Sequence, residues 1–417
     1  MKNRFSALAL CMALAMGAVG TMAVTATPAM AAKEKAPKGP VYKLSKPVQS
    51  ALAEAQKLQA EGNLDGALAK LAEAKAAQKT ADDAFVTAQI KYNLASAKKD
   101  NALLEEASKE MLASESAPAD LRRPLMQNLA AFAYQRGDMA EAIKRYQDLN
   151  AAFPGDPDII VNLAEMHFKA KQAPQAVAML QQAIDAKKAK NEMVPETWYK
   201  RMLAIAFDSK RMDLAVPASL SLVGAYPSQD NWRDSVLIFL DGVKPDDQTT
   251  LDAYRLMRAA DALKGESDYY DYANSAYMKG LPGEAKAVID EGVAKKALSA
   301  TKPTFAELAK LSAGKVGADK AALPKLDTQA RGAANGKLAM STADGYLGYG
   351  EYAKAADLYR VALTKGSVDA AVVNTRLGIA LARGGDKAGA KQAFSQVTTG
   401  PRAQLVKFWL AWLDRAA

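Results

Sequence analysis

The chain has 417 residues, half of them apolar, with a formal charge of +9, one histidine and one cysteine. A single histidine excludes a multi-histidine zinc site and leaves one residue through which a Ser-His-Asp relay could run, and a lone cysteine excludes an internal disulfide or a Cys-ligated zinc. Lysine and arginine alternate with aspartate and glutamate through most segments, the pattern of solvated helix faces rather than of a nucleic-acid-binding block.

Lys2 and Arg4 precede an apolar run from Phe5 to about Val24, and Ala29-Met30-Ala31 supplies a small-x-small cleavage pattern. This predicts a signal peptide over 1–31 and a periplasmic or secreted mature chain beginning at Ala32. Gly17, Gly20, Thr21, Thr25 and Thr27 dilute the run below what a membrane span needs. Leu8-Ala9-Leu10-Cys11 lacks the small residue that precedes a lipidated cysteine, so cleavage leaves a chain without a thiol and with a charge of +9 − 2 = +7. Residues 32–46, with Pro37 and Pro40 and no helical period, read as a flexible linker and hold the one local basic cluster, which suits an anionic envelope component.

From residue 47 the chain repeats itself. Gly137-Asp138-Met139-Ala140-Glu141-Ala142 separates two apolar helical patterns, and Tyr146, Leu149 and Pro154 follow Ala142 at offsets of 4, 7 and 12. Ala176, Leu180 and Ala183 continue the pattern, and similar turns begin at Gly62, Gly280, Gly350 and Gly385. An alanine ruler runs through Ala67, Ala107, Ala142, Ala176, Ala215, Ala285, Ala355 and Ala390, with separations of 40, 35, 34, 39, 70, 70 and 35. These eight units leave two double-length gaps, each with room for a worn hairpin, near 230–263 and 304–335. Small residues are required where paired helices approach closely, because a larger side chain overpacks by roughly 1–3 kcal/mol.

Pro303, Pro324 and several glycines make 301–336 the weakest hairpin or a hinge, dividing a solenoid over 47–300 from a final pair of hairpins and a capping helix over 337–417. In that last helix Leu405, Phe408, Trp409, Trp412 and Leu413 share one face, either as a lid on the last hairpin or as an exposed aromatic docking patch.

A helix-turn-helix of about 34 residues with small side chains at fixed places resembles the tetratricopeptide repeat family. The resemblance implies an all-α, right-handed α-solenoid of stacked hairpins, and a non-catalytic scaffold that holds a peptide or partner protein in a concave groove, with no cofactor, metal or nucleic acid. It implies that the sixth repeat position faces that groove, where Asn93, Asn128 and Asn162 stand at separations of 35 and 34. A column of amides can donate to and accept from an extended backbone, and can equally bond one hairpin to the next. Lys99, Tyr134, Phe168 and Lys169 are expected to line the same groove, while later units carry Arg201, Asp271, Ser341 and Arg376 instead. The alternative is an envelope assembly or secretion component docking through its convex face or its aromatic C-terminal helix.

Other polar features read as structure. Asp82-Asp83, Glu105-Glu106 and Asp246-Asp247 are adjacent pairs, which point about 100° apart on a helix and so do not converge on one bond. The run Gly345 to Gly350 lacks the Gly-Lys-Ser/Thr of a phosphate loop, and His167 sits at a core-facing position.

Overall fold

The computed structural model describes residues 41–415, so the signal peptide, Cys11 and most of the expected linker lie outside the described residues. Among the described residues there are twenty helices and no strand. They fall into two compact units, Met1–Pro154 and Gly155–Ala417.

In the first unit the helices pair as α1 (Lys46–Ala60) with α2 (Leu64–Ala76), α3 (Ala81–Lys98) with α4 (Asn101–Ala113) and α5 (Ala119–Gln135) with α6 (Met139–Ala152), each hairpin packing on the next. The second unit begins with α7 (Pro157–Lys169) and α8 (Ala173–Ala189), α9 (Glu196–Asp208) and α10 (Met212–Ala225), α11 (Gln229–Val243) and α12 (Asp247–Ala259), and α13 (Gly265–Met278) and α14 (Pro282–Ala294). It continues through α15 (Pro303–Gly332), the pair α16 (Lys337–Gly348) and α17 (Tyr352–Lys365), the pair α18 (Ala370–Arg383) and α19 (Lys387–Ser395), and α20 (Gly400–Asp414). Within each unit consecutive helices are in contact, hairpin upon hairpin, which makes this an all-α solenoid fold.

The alanine ruler marks the close approaches. All eight ruler alanines have no exposed surface. Seven are the fourth residue of a hairpin's second helix; Ala107 is the seventh residue of α4, which lengthens its step from Ala67. In α12 the fourth residue is Thr250, so the ruler passes over a hairpin that is present. The turn of α5–α6 uses Gly137 at φ 79°, where a Cβ would be strained. Four pairs lack such a glycine, and Lys99, Lys171, Lys210 and Lys244 take the left-handed conformation instead, at φ 55°, 60°, 56° and 48°.

Three expectations are corrected. Residues 303–332 form one 30-residue helix where a worn hairpin was expected. Pro303 occupies the first turn, which tolerates it, and no residue from 303 to 332 has a positive φ to make a turn, so the helix runs on through Pro324. Residues 41–45, expected to be linker, are stitched to α3: Asp82 Oδ2 and Asp83 Oδ1 accept the amides of Lys43 and Ser45, both at 2.8 Å, and the Tyr42 and Phe85 rings lie 5.2 Å apart.

The third concerns α20. It lies on α18 and α19, as a lid on the last hairpin would, but it also packs on α10 and α12, so the second unit closes on its own middle. Phe408 meets Phe239 edge-on at 6.1 Å, and the Trp412 indole N–H donates to the Ala259 carbonyl at 3.0 Å. Leu405, Phe408, Trp409 and Leu413 are buried, each contributing about 1.5–3 kcal/mol. The aromatic face is therefore core and not an exposed docking patch, because the chain itself covers it.

Candidate functional site

Within the first unit, Asn93 on α3 and Asn128 on α5 lie on the first helices of successive hairpins. Asn93 is exposed, whereas Asn128 is half-buried and donates its amide to the Tyr92 hydroxyl at 3.2 Å. No hydrogen bond joins the two amides; Asn128 reaches the neighbouring hairpin through a tyrosine, and Asn93 keeps its hydrogen-bonding capacity for water or another chain. Tyr134 is half-buried on α5. Lys99 is corrected: it is the left-handed turn residue after α3, exposed at the hairpin's end, and its backbone role explains its position.

Asn162, Phe168 and Lys169 belong to α7 in the second unit. Asn162 is half-buried and Lys169 exposed. Arg201, at the place where the asparagine pattern stops, lies over the Phe168 ring at 4.7 Å and holds Glu165 by a two-pronged pair of 2.6 and 2.7 Å. The planar cation and its carboxylate thus take over the contact between hairpins, and the aromatic is partly spoken for.

The densest chemistry is in the second unit, where α12, α14, α18 and α20 converge. Asp252 has no exposed surface and receives three arginines: Arg255 Nη1 at 2.7 Å and Arg376 Nε at 3.3 Å on Oδ1, and Arg402 Nη1 at 2.6 Å on Oδ2. Arg255 also grips Glu284 through Nε and Nη2 at 2.8 and 2.6 Å, Tyr272 donates to Glu284 at 2.7 Å, and Arg376 reaches Asp344 at 2.8 Å. Burial opposes ionisation of Asp252, but Arg376, Arg255 and Arg402 hold its pKa below the ordinary aspartate value. Burial likewise opposes the Glu284 charge and Arg255 outweighs it.

Beside this cluster opens a cleft of about 140 Å³. Arg255, Arg258, Arg383 and Glu284 are its charged lining, with Tyr272, Tyr352 and Trp409 among its aromatic walls. It owes its shape to close backbone approach: a Cβ on Gly283 would run into the Tyr349 ring, and one on Gly348 would come within 3.1 Å of Glu284. The run Gly345 to Gly350 thus serves packing and, at Gly350, a turn at φ 76°.

The remaining polar candidates are structural. Asp83 closes a capping box with Thr80, and Asp246 accepts the Thr249 amide at 2.7 Å. Glu105 pairs with Arg136 and Glu106 with Lys91. His167 is buried and its Nδ1 lies 2.7 Å from the Gln172 side chain in the following turn.

Residues 133–192, which span α6, α7 and α8, match the family model of the tetratricopeptide repeat. Residues 133–192 thus carry a tetratricopeptide repeat. No curated protein sequence matches it. Among solved structures, the chain is similar to Naa15/Naa10 bound to HypK-THB, with 17% identity, 89% of this chain and 68% of that chain covered, and a TM-score of 0.34. It is also similar to PilF of Pseudomonas aeruginosa, with 14% identity, coverage of 63% and 96%, and a TM-score of 0.26. A tetratricopeptide repeat protein from Parabacteroides merdae shares 12% identity over 81% and 100%, with a TM-score of 0.28.

Sequence reasoning missed Asp252, Arg255, Arg258, Glu284 and Arg383. Arg376 was read as a lapse of the asparagine pattern, yet it is 4% exposed and joins the central network. A signal was present in Asp252 and Arg255, three residues apart and so on one helix face, between Leu251 and Leu256. That α20 buries this face depends on contacts about 150 residues apart, which no local pattern reveals.

Proposed function

We propose that the chain is an exported, non-catalytic scaffold that holds an extended segment of a partner protein against the first-helix faces of the hairpins in its first unit, with Asn93 and Asn128 central. The observation that carries this reading is a contrast between the two units. The face of α12 is filled by the chain's own α20, whereas Asn93 is left exposed beside the half-buried Tyr92, with the half-buried Asn128 and Tyr134 on the next hairpin. Stacked helical hairpins build extended binding surfaces of this kind. Export rests on the charged start, the apolar run and Ala29-Met30-Ala31. Among the described residues no helix is long and apolar enough to cross a membrane.

The test places a photocrosslinking residue at Asn93 in cells that make the protein, with a second one at the exposed Lys99 as a turn-side control. A partner is captured from Asn93 and not from Lys99. Replacing Asn93 and Asn128 together by alanine lowers affinity by about tenfold, from the loss of two hydrogen bonds of roughly 0.5–1.5 kcal/mol each. Unchanged capture by a variant that keeps its helical circular dichroism refutes the reading.

A further inference from the structure

The cleft between α12, α14, α17, α18 and α20 has a one-sided chemistry. Its acceptors are spent: both Glu284 oxygens take donors from Arg255, and Oε1 also takes the Tyr272 hydroxyl. Its donors are not. Arg258 uses Nε on Glu291 at 2.7 Å and remains partly exposed, while the exposed Arg383 rests on the Tyr352 ring at 5.8 Å without a carboxylate partner among the described residues. Trp409, on the same wall, has no exposed surface, and its indole N–H has no acceptor. Three arginines against one glutamate leave the lining cationic. A ligand that completes these groups must bring acceptors and negative charge, and a flat apolar body to lie among the tyrosines.

We propose that this cleft is a binding site for a small organic carboxylate with a flat hydrophobic body. The carboxylate lies against the guanidinium groups of Arg258 and Arg383, whose planar forks match its two oxygens, and the body lies against the partly exposed rings of Tyr349 and Tyr352. A volume of about 140 Å³ is below the roughly 300 Å³ at which drug-sized pockets begin, so the ligand is small. The site lies wholly within the second unit and does not use Asn93 or Asn128, so it stands apart from the scaffold reading.

The full chain is titrated with benzoate at constant ionic strength, following tryptophan emission because Trp409 is buried directly beside the cleft. Benzyl alcohol and inorganic phosphate are parallel arms. Benzoate gives a saturable change that benzyl alcohol and phosphate do not. Arg383→Gln, an exposed change that leaves the fold intact, weakens benzoate by about tenfold, as loss of a charge-assisted hydrogen bond does. Arg211→Gln, an exposed arginine outside the cleft, leaves the affinity unchanged. The proposal is overturned by the absence of saturable benzoate binding, by equal binding of benzyl alcohol, by phosphate binding in place of benzoate, or by an Arg383→Gln variant that binds as the parent does.

Discussion

Asp252→Asn tests the central cluster, because one carboxylate there serves three cations. The substitution keeps the shape and removes the charge. Arg255 retains Glu284 and Arg376 retains Asp344, but the nearest other carboxylate to Arg402 is Asp246, at 3.9 Å, and Arg402 Nη2 makes no hydrogen bond. One buried arginine is thus stranded, and stranding a buried charge costs about 3–5 kcal/mol. At roughly 2–4 °C per kcal/mol for a unit of this size, the melting midpoint falls by about 6–20 °C. The assay is selective, because all four tryptophans, Trp198, Trp232, Trp409 and Trp412, lie in the second unit, so a fluorescence melt reports that unit alone. Adding Arg402→Gln to Asp252→Asn removes the stranded charge and restores part of the loss, a coupling of roughly 0.5–3 kcal/mol. A midpoint within about 2 °C of the parent, or a double variant whose losses simply add, refutes the account.

Acidification tests the same cluster. The pKa values of Asp252 and Glu284 are depressed in the folded chain, so the stability they contribute is present above the unfolded carboxylate range of about 3.9–4.3 and is lost as pH falls through the lower folded values. Tryptophan-detected denaturant midpoints should hold from about pH 7 to 5 and drop below about pH 4. Gly378→Ala places a Cβ 2.3 Å from the edge of the Phe394 ring and should destabilise the second unit by about 1–3 kcal/mol, read from the same fluorescence in urea. Asn128→Ala, which breaks the bond to Tyr92, should cost about 0.5–1.5 kcal/mol by circular dichroism, while Asn93→Ala, at an exposed position, should stay within about 0.5 kcal/mol.

What the sequence made legible was local. Alanines at hairpin spacing mark helix crossings because nothing larger fits, and all eight proved to be buried. The Gly-Asp turns were equally readable, since glycine favours the left-handed backbone and aspartate caps the next helix. Lys99, Lys171 and Lys210 hid the same turn, because a lysine that adopts a positive φ leaves no compositional mark. Residues 303–332 misled in the opposite direction: proline and glycine suggested a break, yet Pro303 falls in the first turn of α15 and Gly314 and Gly317 meet nothing within 4 Å. Among the groove residues, no local pattern signals that Asn128 bonds Tyr92 or that Arg201 covers Phe168. Those contacts depend on how long side chains cross between hairpins.

The return of α20 to α12 changes what kind of object the second unit is. In an open array each module answers only to its two neighbours, so copies can be gained or shed at little cost. A clasp joining Arg402 to Asp252, 150 residues away, removes that freedom. Inserting or deleting a hairpin between α12 and α20 would carry the two halves of the clasp apart, so the number of helices in this stretch is fixed by geometry. Closing so long a loop also delays assembly, because the ends can meet only after the hairpins between them have stacked.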